Sequence, residues 1–311
     1  MRAWHAAHAG GYEQLELHEL PKPAPAPHEV LVEVRACGIN FSDLLMAAGA
    51  YQVKPPLPFV PGQEIAGRVA STGQRVAAKV LWGGFAEYAA ARSDMLIALP
   101  DEMSYAAGAT LPVVWPTAWI ALFDRARLQR GETVLVHAAA GGVGLAAVQL
   151  AREAGGKVIA GVGDDAKAVV AREAGAAQVV NTRAAKWHEQ VGAPDVIFDP
   201  VGGELAEPSL KCLARNGRYL VVGFAGGRIT ELRANRLLLK NASALGVYWS
   251  HDRDGELIKR ALDAVFASWR AGRVRIEPMA RYPFEKLRDA LGDLAARRTT
   301  GKSVLVLKEE S

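Results

Sequence analysis

Thr133-Val-Leu-Val-His-Ala-Ala-Ala-Gly-Gly-Val-Gly-Leu-Ala-Ala-Val-Gln-Leu150 decides the fold. It reads as a short buried strand, Thr133 to Ala138, a turn rich in glycine at Gly141, Gly142 and Gly144, and an apolar helix running to Ala154. The backbone must reverse sharply between strand and helix. A Cβ at Gly141 would hold a ligand pyrophosphate away from the amides, and one at Gly144 would hold the helix off the strand. Free N–H groups and the positive end of the helix dipole would then face phosphate. The first glycine of the usual G-x-G-x-x-G is Ala139 here. A glycine-rich turn alone is any tight βα turn. The context is what predicts a dinucleotide: β-forming residues before it, an uncapped apolar helix after it, and a second strand, Lys157 to Val162, at the distance of a βαβ unit.

Working outward, the alternation continues. Strands are expected at Gln178–Asn181, Asp195–Val201, Arg218–Gly223 and Ala244–Trp249, with helices at Ala166–Ala174, Glu204–Leu213 and Arg233–Lys240. Six strands with crossover helices make an α/β, doubly wound (Rossmann) parallel sheet. Residues before about 113 follow another period: Val30 to Ala36 alternates as a half-buried strand, further strand candidates follow at Glu64–Ser71, Arg75–Val80 and Phe85–Ala90, and prolines punctuate the loops. After His251 come an amphipathic helix (Gly255 to Ala271), a strand near Arg281 to Phe284, a helix (Glu285 to Arg297) and a last strand (Ser303 to Leu307). This tail lacks the βαβ rhythm and is assigned to the first domain. The expected division is 1–113 with 252–311, around a dinucleotide-binding domain at 114–251.

Bulk composition narrows the function. A chain of 311 residues is long for one core. Lysines and arginines number 37 against 33 acids, a net +4, and they are scattered, which suits a small anionic ligand and no nucleic acid. Two distant cysteines, Cys37 and Cys212, build neither a disulfide framework nor a cysteine-rich metal site, and suit a reducing cytosol. No signal-like run opens the chain, and the longest apolar stretch, Leu111 to Phe123, is broken by Pro112 and Pro116, so no membrane span and a cytoplasmic protein are expected.

Coenzyme choice is read at the end of the second strand, where NAD-binding folds place an acid for the ribose 2′-hydroxyl. Gly161-Val162-Gly163 carries no carboxylate there, and Lys167 follows four residues on, positioned to meet a 2′-phosphate as a point charge. The prediction is NADP(H). Asp164 and Asp165 either cap the helix that follows, the preferred reading, or turn inward to a ribose hydroxyl. Arg183, after the third strand, is either a second phosphate partner or a solvated loop residue.

The ordered motifs Cys37-Gly-Ile-Asn-Phe-Ser-Asp43, Gly49-Ala-Tyr51, Pro61-Gly-Gln-Glu-Ile-Ala-Gly67, Arg75-Val-Ala-Ala78, Gly84-Phe-Ala-Glu-Tyr88, Ala138-Ala-Ala-Gly-Gly-Val-Gly144, Asp199-Pro-Val-Gly-Gly203 and Thr300-Gly-Lys302 resemble those of one family. It is the zinc-independent, zeta-crystallin-like quinone oxidoreductases of the medium-chain dehydrogenase/reductase superfamily, and the match spans nearly the whole chain. The resemblance implies a GroES-like substrate domain built from both ends of the chain. Alcohol dehydrogenase relatives place a metal cysteine where Asn40 stands and a metal histidine where Gln63 stands. Neutral amides are poor Zn²⁺ ligands, and the four-cysteine lobe that would follow Val80 is missing, so no metal is expected. A quinone or an α,β-unsaturated carbonyl needs no Lewis acid, because charge delocalises as hydride arrives.

The resemblance also implies site residues. Asn40, Asp43, Tyr51 and Gln63 are expected at the acceptor, with Asn40 and Tyr51 donating to a developing oxyanion. Asp43 is alternatively a helix cap, and Tyr51 a packing aromatic. Thr117, Gly223 and Phe224 are expected to bracket the nicotinamide, and Ala139, Gly141, Gly142, Val143, Gly144, Gly163, Lys167 and Lys302 to complete the coenzyme site. Tyr248 and Trp249 either shape the acceptor pocket or belong to the core. Leu45 replaces a tyrosine common in bacterial relatives. The expected protein is an NADPH-dependent reductase, homodimeric through its sixth strand. Its rivals are an enoyl-thioester reductase of the same fold and a non-enzymatic NADPH- or RNA-binding protein, the latter disfavoured by the scattered charge.

Overall fold

The structure, a computed structural model, describes residues 1–52 and 54–308. The described chain forms two compact units, Met1–Val113 with the residues from Ile276 onward, and Val114–Arg275.

The first unit opens with an antiparallel pair, β1 (Arg2–His5) and β2 (Glu16–Glu19). Then follow β3 (Glu29–Gly38), α1 (Phe41–Ala47), β4 (Glu64–Val69), β5 (Arg75–Lys79), β6 (Tyr88–Arg92), β7 (Leu96–Ala98) and the single turn α2 (Tyr105–Gly108). β3 is the long central strand, and its alternation is what the sequence predicts: Val32, Val34 and Ala36 are buried while Glu33 and Arg35 reach the surface. Val32 and Val34 join Trp4, Ile65, Phe85 and Phe284 in one core.

The second unit carries α3 (Val114–Trp119), β8 (Thr133–His137), α4 (Gly142–Glu153), β9 (Lys157–Val162), α5 (Asp165–Glu173), β10 (Gln178–Asn181), β11 (Val196–Asp199), α6 (Ala206–Cys212), β12 (Arg218–Val221), α7 (Ala234–Lys240), β13 (Ser243–Gly246) and α8 (His251–Arg270). Its six strands lie in the order β10-β9-β8-β11-β12-β13, every neighbouring pair parallel. This is the doubly wound order, and its crevice lies beyond the carboxyl end of β8, where the order reverses. Strands β8 and β11 are almost wholly buried, as a sheet covered on both faces requires.

One expected boundary moves. Helix α8 is expected with the tail, yet it belongs to the second unit. Ile258 and Ala261 pack with Ile120 and Trp249, and the segment that follows α8 is tied back to α4 by Arg273 Nε to Glu153, 2.7 Å. The apolar stripe of α8 needs cover, and α3 with the helical turn that follows it supplies that cover within the second unit. The chain then returns to the first unit with β14 (Ala280–Pro283), α9 (Leu287–Ala295) and β15 (Ser303–Val306), giving a sheet ordered β14-β15-β3-β4-β5-β7 with β6 also on β3.

Candidate active site

In the second unit, the turn from β8 to α4 is built around two close approaches. Ala138 takes a left-handed φ of 47°, and Gly141 N–H donates to its carbonyl at 2.8 Å. A Cβ on Gly144 would lie 2.2 Å from that same oxygen, so only glycine lets α4 start here. A Cβ on Gly141 would stand 3.2 Å from it. Gly141 is the N-cap of α4, and no side chain caps the helix. Its first amides, at Gly142, Val143 and Gly144, therefore have the form that suits a pyrophosphate.

At the end of β9, Asp164 is the N-cap of α5: its carboxylate accepts from Lys167 N–H at 2.9 Å and pairs with the Lys167 ammonium at 3.3 Å. These bonds, with the charges of Lys167 and Arg183, hold its pKa below the ordinary carboxylate value. The capping role expected for Asp164 is thus observed. Arg183 lies over Gly163, where an added Cβ would meet its Nε at 3.1 Å. Two cations flank this turn and its Asp164 carboxylate is engaged as the helix cap, a set that fits a phosphorylated ribose better than a free 2′-hydroxyl.

Beyond β11, Asp199 organises the loop that carries Gly202 and Gly203. Its carboxylate accepts from Val201 N–H at 2.8 Å, from Gly202 N–H at 2.9 Å, and from the Tyr219 hydroxyl. Burial and the facing carboxylate push the tyrosine's pKa far up, so it stays a donor. Gly223 and Phe224 run beside this loop, with the amide of Ala225 bonded to Pro200 O at 3.0 Å. Thr117, on α3, accepts the indole N–H of Trp249 at 3.0 Å. Trp249 is core, whereas Tyr248 is 75% exposed and so is not.

The first unit holds the second constellation. Gly38 ends β3, Glu64 begins β4 opposite it, and Lys302 immediately precedes β15, whose Val304 also pairs with Gly38. Three adjacent strands thus end at one place. Asn40 follows β3 as the N-cap of α1, and Asp43 completes a capping box by accepting from Asn40 N–H at 2.7 Å. Asp43 therefore takes the cap role that stood as its alternative. It is fully buried, one carboxylate oxygen has no hydrogen-bond partner among the described residues, and burial pushes its pKa up to about 7, against the pull of the Asn40 amide and the Lys302 charge.

Around Asn40 the polar groups close a ring. Its amide nitrogen donates to Glu64 Oε2 at 2.8 Å, its amide oxygen accepts from the Lys302 ammonium, and that ammonium pairs with Glu64. The other Glu64 oxygen accepts from Val113 N–H at 2.7 Å. Gly38 leaves room for this carboxylate, since a Cβ there would lie 2.6 Å from it. Gln63, next in the chain and buried, accepts at its amide oxygen from the Ser42 hydroxyl. Tyr51 packs half-buried on the unit's core.

The structure thus brings Asn40 and Asp43 together, adds Lys302 to them, and sets Gln63 beside Ser42. Lys302, expected at the coenzyme, has its ammonium engaged with Asn40 and Glu64 in the first unit, where the strand order sets β15 alongside β3. Glu64 is the residue that the sequence does not single out, although it stands in the Pro61 to Gly67 motif. A charge opening the buried part of a strand, ahead of Ile65 and Ala66, is the available signal. Among the described residues no three histidine, cysteine, aspartate or glutamate side chains converge as a metal site.

Family models for the alcohol dehydrogenase GroES-like domain and the zinc-binding dehydrogenase match residues 26–101 and 142–266. Mouse quinone oxidoreductase-like protein 2 is 38% identical over 95% of this chain and 90% of its own length. The quinone oxidoreductase of Thermus thermophilus, solved alone and with NADPH, superposes with a TM-score of 0.88 at 36% identity, covering 99% of this chain and 100% of that one. The Escherichia coli quinone oxidoreductase complexed with NADPH gives 0.88 at 30%, covering 99% and 100%.

Proposed function

This chain belongs to the quinone oxidoreductase family of the medium-chain dehydrogenase/reductase superfamily, and from that premise we propose that it is an NADPH-dependent oxidoreductase passing hydride to a quinone or an α,β-unsaturated carbonyl without zinc. The observation that carries the acceptor class is the pair of neutral amides, Asn40 and Gln63. A Lewis-acid site needs thiolate or imidazole there, whereas an amide N–H suits an oxygen that gains charge as the acceptor is reduced.

NADPH, when bound, supplies the hydride. The uncapped amides of α4 take its pyrophosphate, and Lys167 with Arg183 takes the 2′-phosphate. Thr117, Gly223 and Phe224 hold the nicotinamide end. Asn40 and Gln63, with Tyr51, orient the acceptor oxygen, so that catalysis is mainly positioning. A panel of quinones, enones and enoyl thioesters, followed spectrophotometrically by NADPH loss, tests this. Turnover with quinones or enones is expected, and oxidation of NADPH by thioesters alone would transfer the protein to the rival enzyme class.

A homodimer through β13 is part of the same proposal. β13 is an outer strand with Ser243, Ala244 and Gly246 exposed, and Leu238 and Leu239 on the neighbouring α7 are about three-quarters exposed. An unpaired apolar edge of this kind favours pairing with its own copy. No helix among the described residues is long and apolar enough to cross a membrane.

A further inference from the structure

We propose that Glu64 and Lys302 are positioning residues for the reductive step: together they lock the Asn40 amide so that it presents only N–H to the acceptor oxygen. The inference rests on the reductase reading above.

An asparagine amide has two nearly isosteric orientations, one placing its oxygen where the other places its nitrogen, and only its hydrogen bonds choose between them. A hydroxyl or water partner does not choose, because it can donate or accept. The partners of Asn40 do choose. Lys302 carries three donors and no acceptor, and a carboxylate carries acceptors only. With the amide oxygen on the ammonium and one N–H on Glu64 Oε2, the flipped orientation would set oxygen against carboxylate and N–H against ammonium. Three residues from three chain segments, all nearly inaccessible, close this ring. A buried ion pair is weak evidence for stability by itself, and specifying one arrangement is the better-attested use of such groups.

The consequence is chemical. Asn40 has one N–H bonded to Glu64 and a second that the ring does not use. Its oxygen, which would repel an acceptor gaining negative charge, is spent on Lys302. The ammonium also polarises the amide, and hydrogen bonds in a chain strengthen one another in a low-dielectric setting. Hydride from NADPH reduces the acceptor, and a proton from solvent completes the reduction. The role assigned to the pair is to keep a donor, never an acceptor, at the oxygen that becomes anionic in between.

The test exploits the difference between one-sided and two-sided partners. Lys302→Arg keeps a donor-only group at the Asn40 oxygen, whereas Lys302→Gln can offer oxygen or nitrogen. With 1,4-benzoquinone as acceptor, the arginine variant should retain kcat/KM within about threefold. The glutamine variant should lose roughly ten- to a hundredfold, the scale of one misplaced oxyanion donor. NADPH affinity, read by fluorescence titration, should stay within about twofold of wild type in both. If NADPH affinity falls in step with kcat/KM, Lys302 is a coenzyme ligand and the positioning role is wrong. Equal activity in the two variants also overturns it. Should neither variant fold, Glu64→Gln decides on the same readouts: it makes the partner of the Asn40 N–H two-sided, so an unchanged kcat/KM rejects the role. A wild-type protein that oxidises NADPH with no quinone or enone removes the reductase reading instead, and this inference with it.

Discussion

Residue by residue, charge is placed where it must choose between partners. Lys167 shares its ammonium with Asp164, so a 2′-phosphate competes with a contact already made. Replacing Lys167 with alanine should raise KM for NADPH and leave that for NADH nearly unchanged. A charge-assisted contact of about 1.5–3 kcal/mol corresponds to roughly a ten- to hundredfold loss of discrimination, and the competing aspartate favours the lower end. A wild-type preference for NADH would refute this use of the turn. Asp43 makes a second prediction. Its pKa in the folded protein is raised to about 7 from an ordinary value of 3.8, so between those values the native state binds the extra proton. The stability that this proton contributes is complete below pH 3.8 and is lost as pH rises through about 7. Asp43→Asn keeps an oxygen for the Asn40 amide and removes the titration. Its unfolding free energy should therefore fall less than that of wild type as pH rises from about 4 to about 8, as denaturant melts at several pH values would show. The cap role of Asp43 is legible as an alternative in the sequence. Its complete burial is not, because it depends on β15 and α9 returning to the first unit.

Elements come next, and here glycine geometry and strand edges decide. A methyl at Gly144 would stand 2.2 Å from the Ala138 carbonyl, a backbone atom that cannot swing aside. Gly144→Ala should therefore push α4 off β8, costing about 1–3 kcal/mol in thermal or denaturant melts and weakening NADPH binding in the same variant. A variant with unchanged melting would show that the turn relaxes at no cost. The glycine pattern Gly141-Gly142-x-Gly144 is readable because a strand–turn–helix reversal imposes it locally. β13 illustrates the opposite dependence. Local pattern reads its strand at Ala244 to Trp249, while the place of the observed Ser243–Gly246 at the edge follows from the order of all six strands. Light scattering at micromolar concentration should give the mass of a dimer, and a monomer there would reject pairing through β13.

On the scale of the whole molecule, the resemblance implies that the amides of Asn40 and Gln63 stand where zinc-bearing relatives keep a cysteine and a histidine. Activity should survive EDTA, and elemental analysis of protein purified without added metal should find no stoichiometric zinc. One zinc per chain would overturn the acceptor class with it. The sequence by itself determined the parallel sheet, its six strands and the glycine turn, since hydrophobic period and turn chemistry act over a few neighbouring residues. It also determined the missing zinc ligands, which are matters of residue type. Only the tertiary structure decided that α8 covers the second unit and that Lys302 meets Asn40 and Glu64. Lys302 and Asn40 are separated by 262 residues. No local pattern encodes such a meeting: it arises where β3, β4 and β15 end together, and burial there makes each polar group depend on the other two.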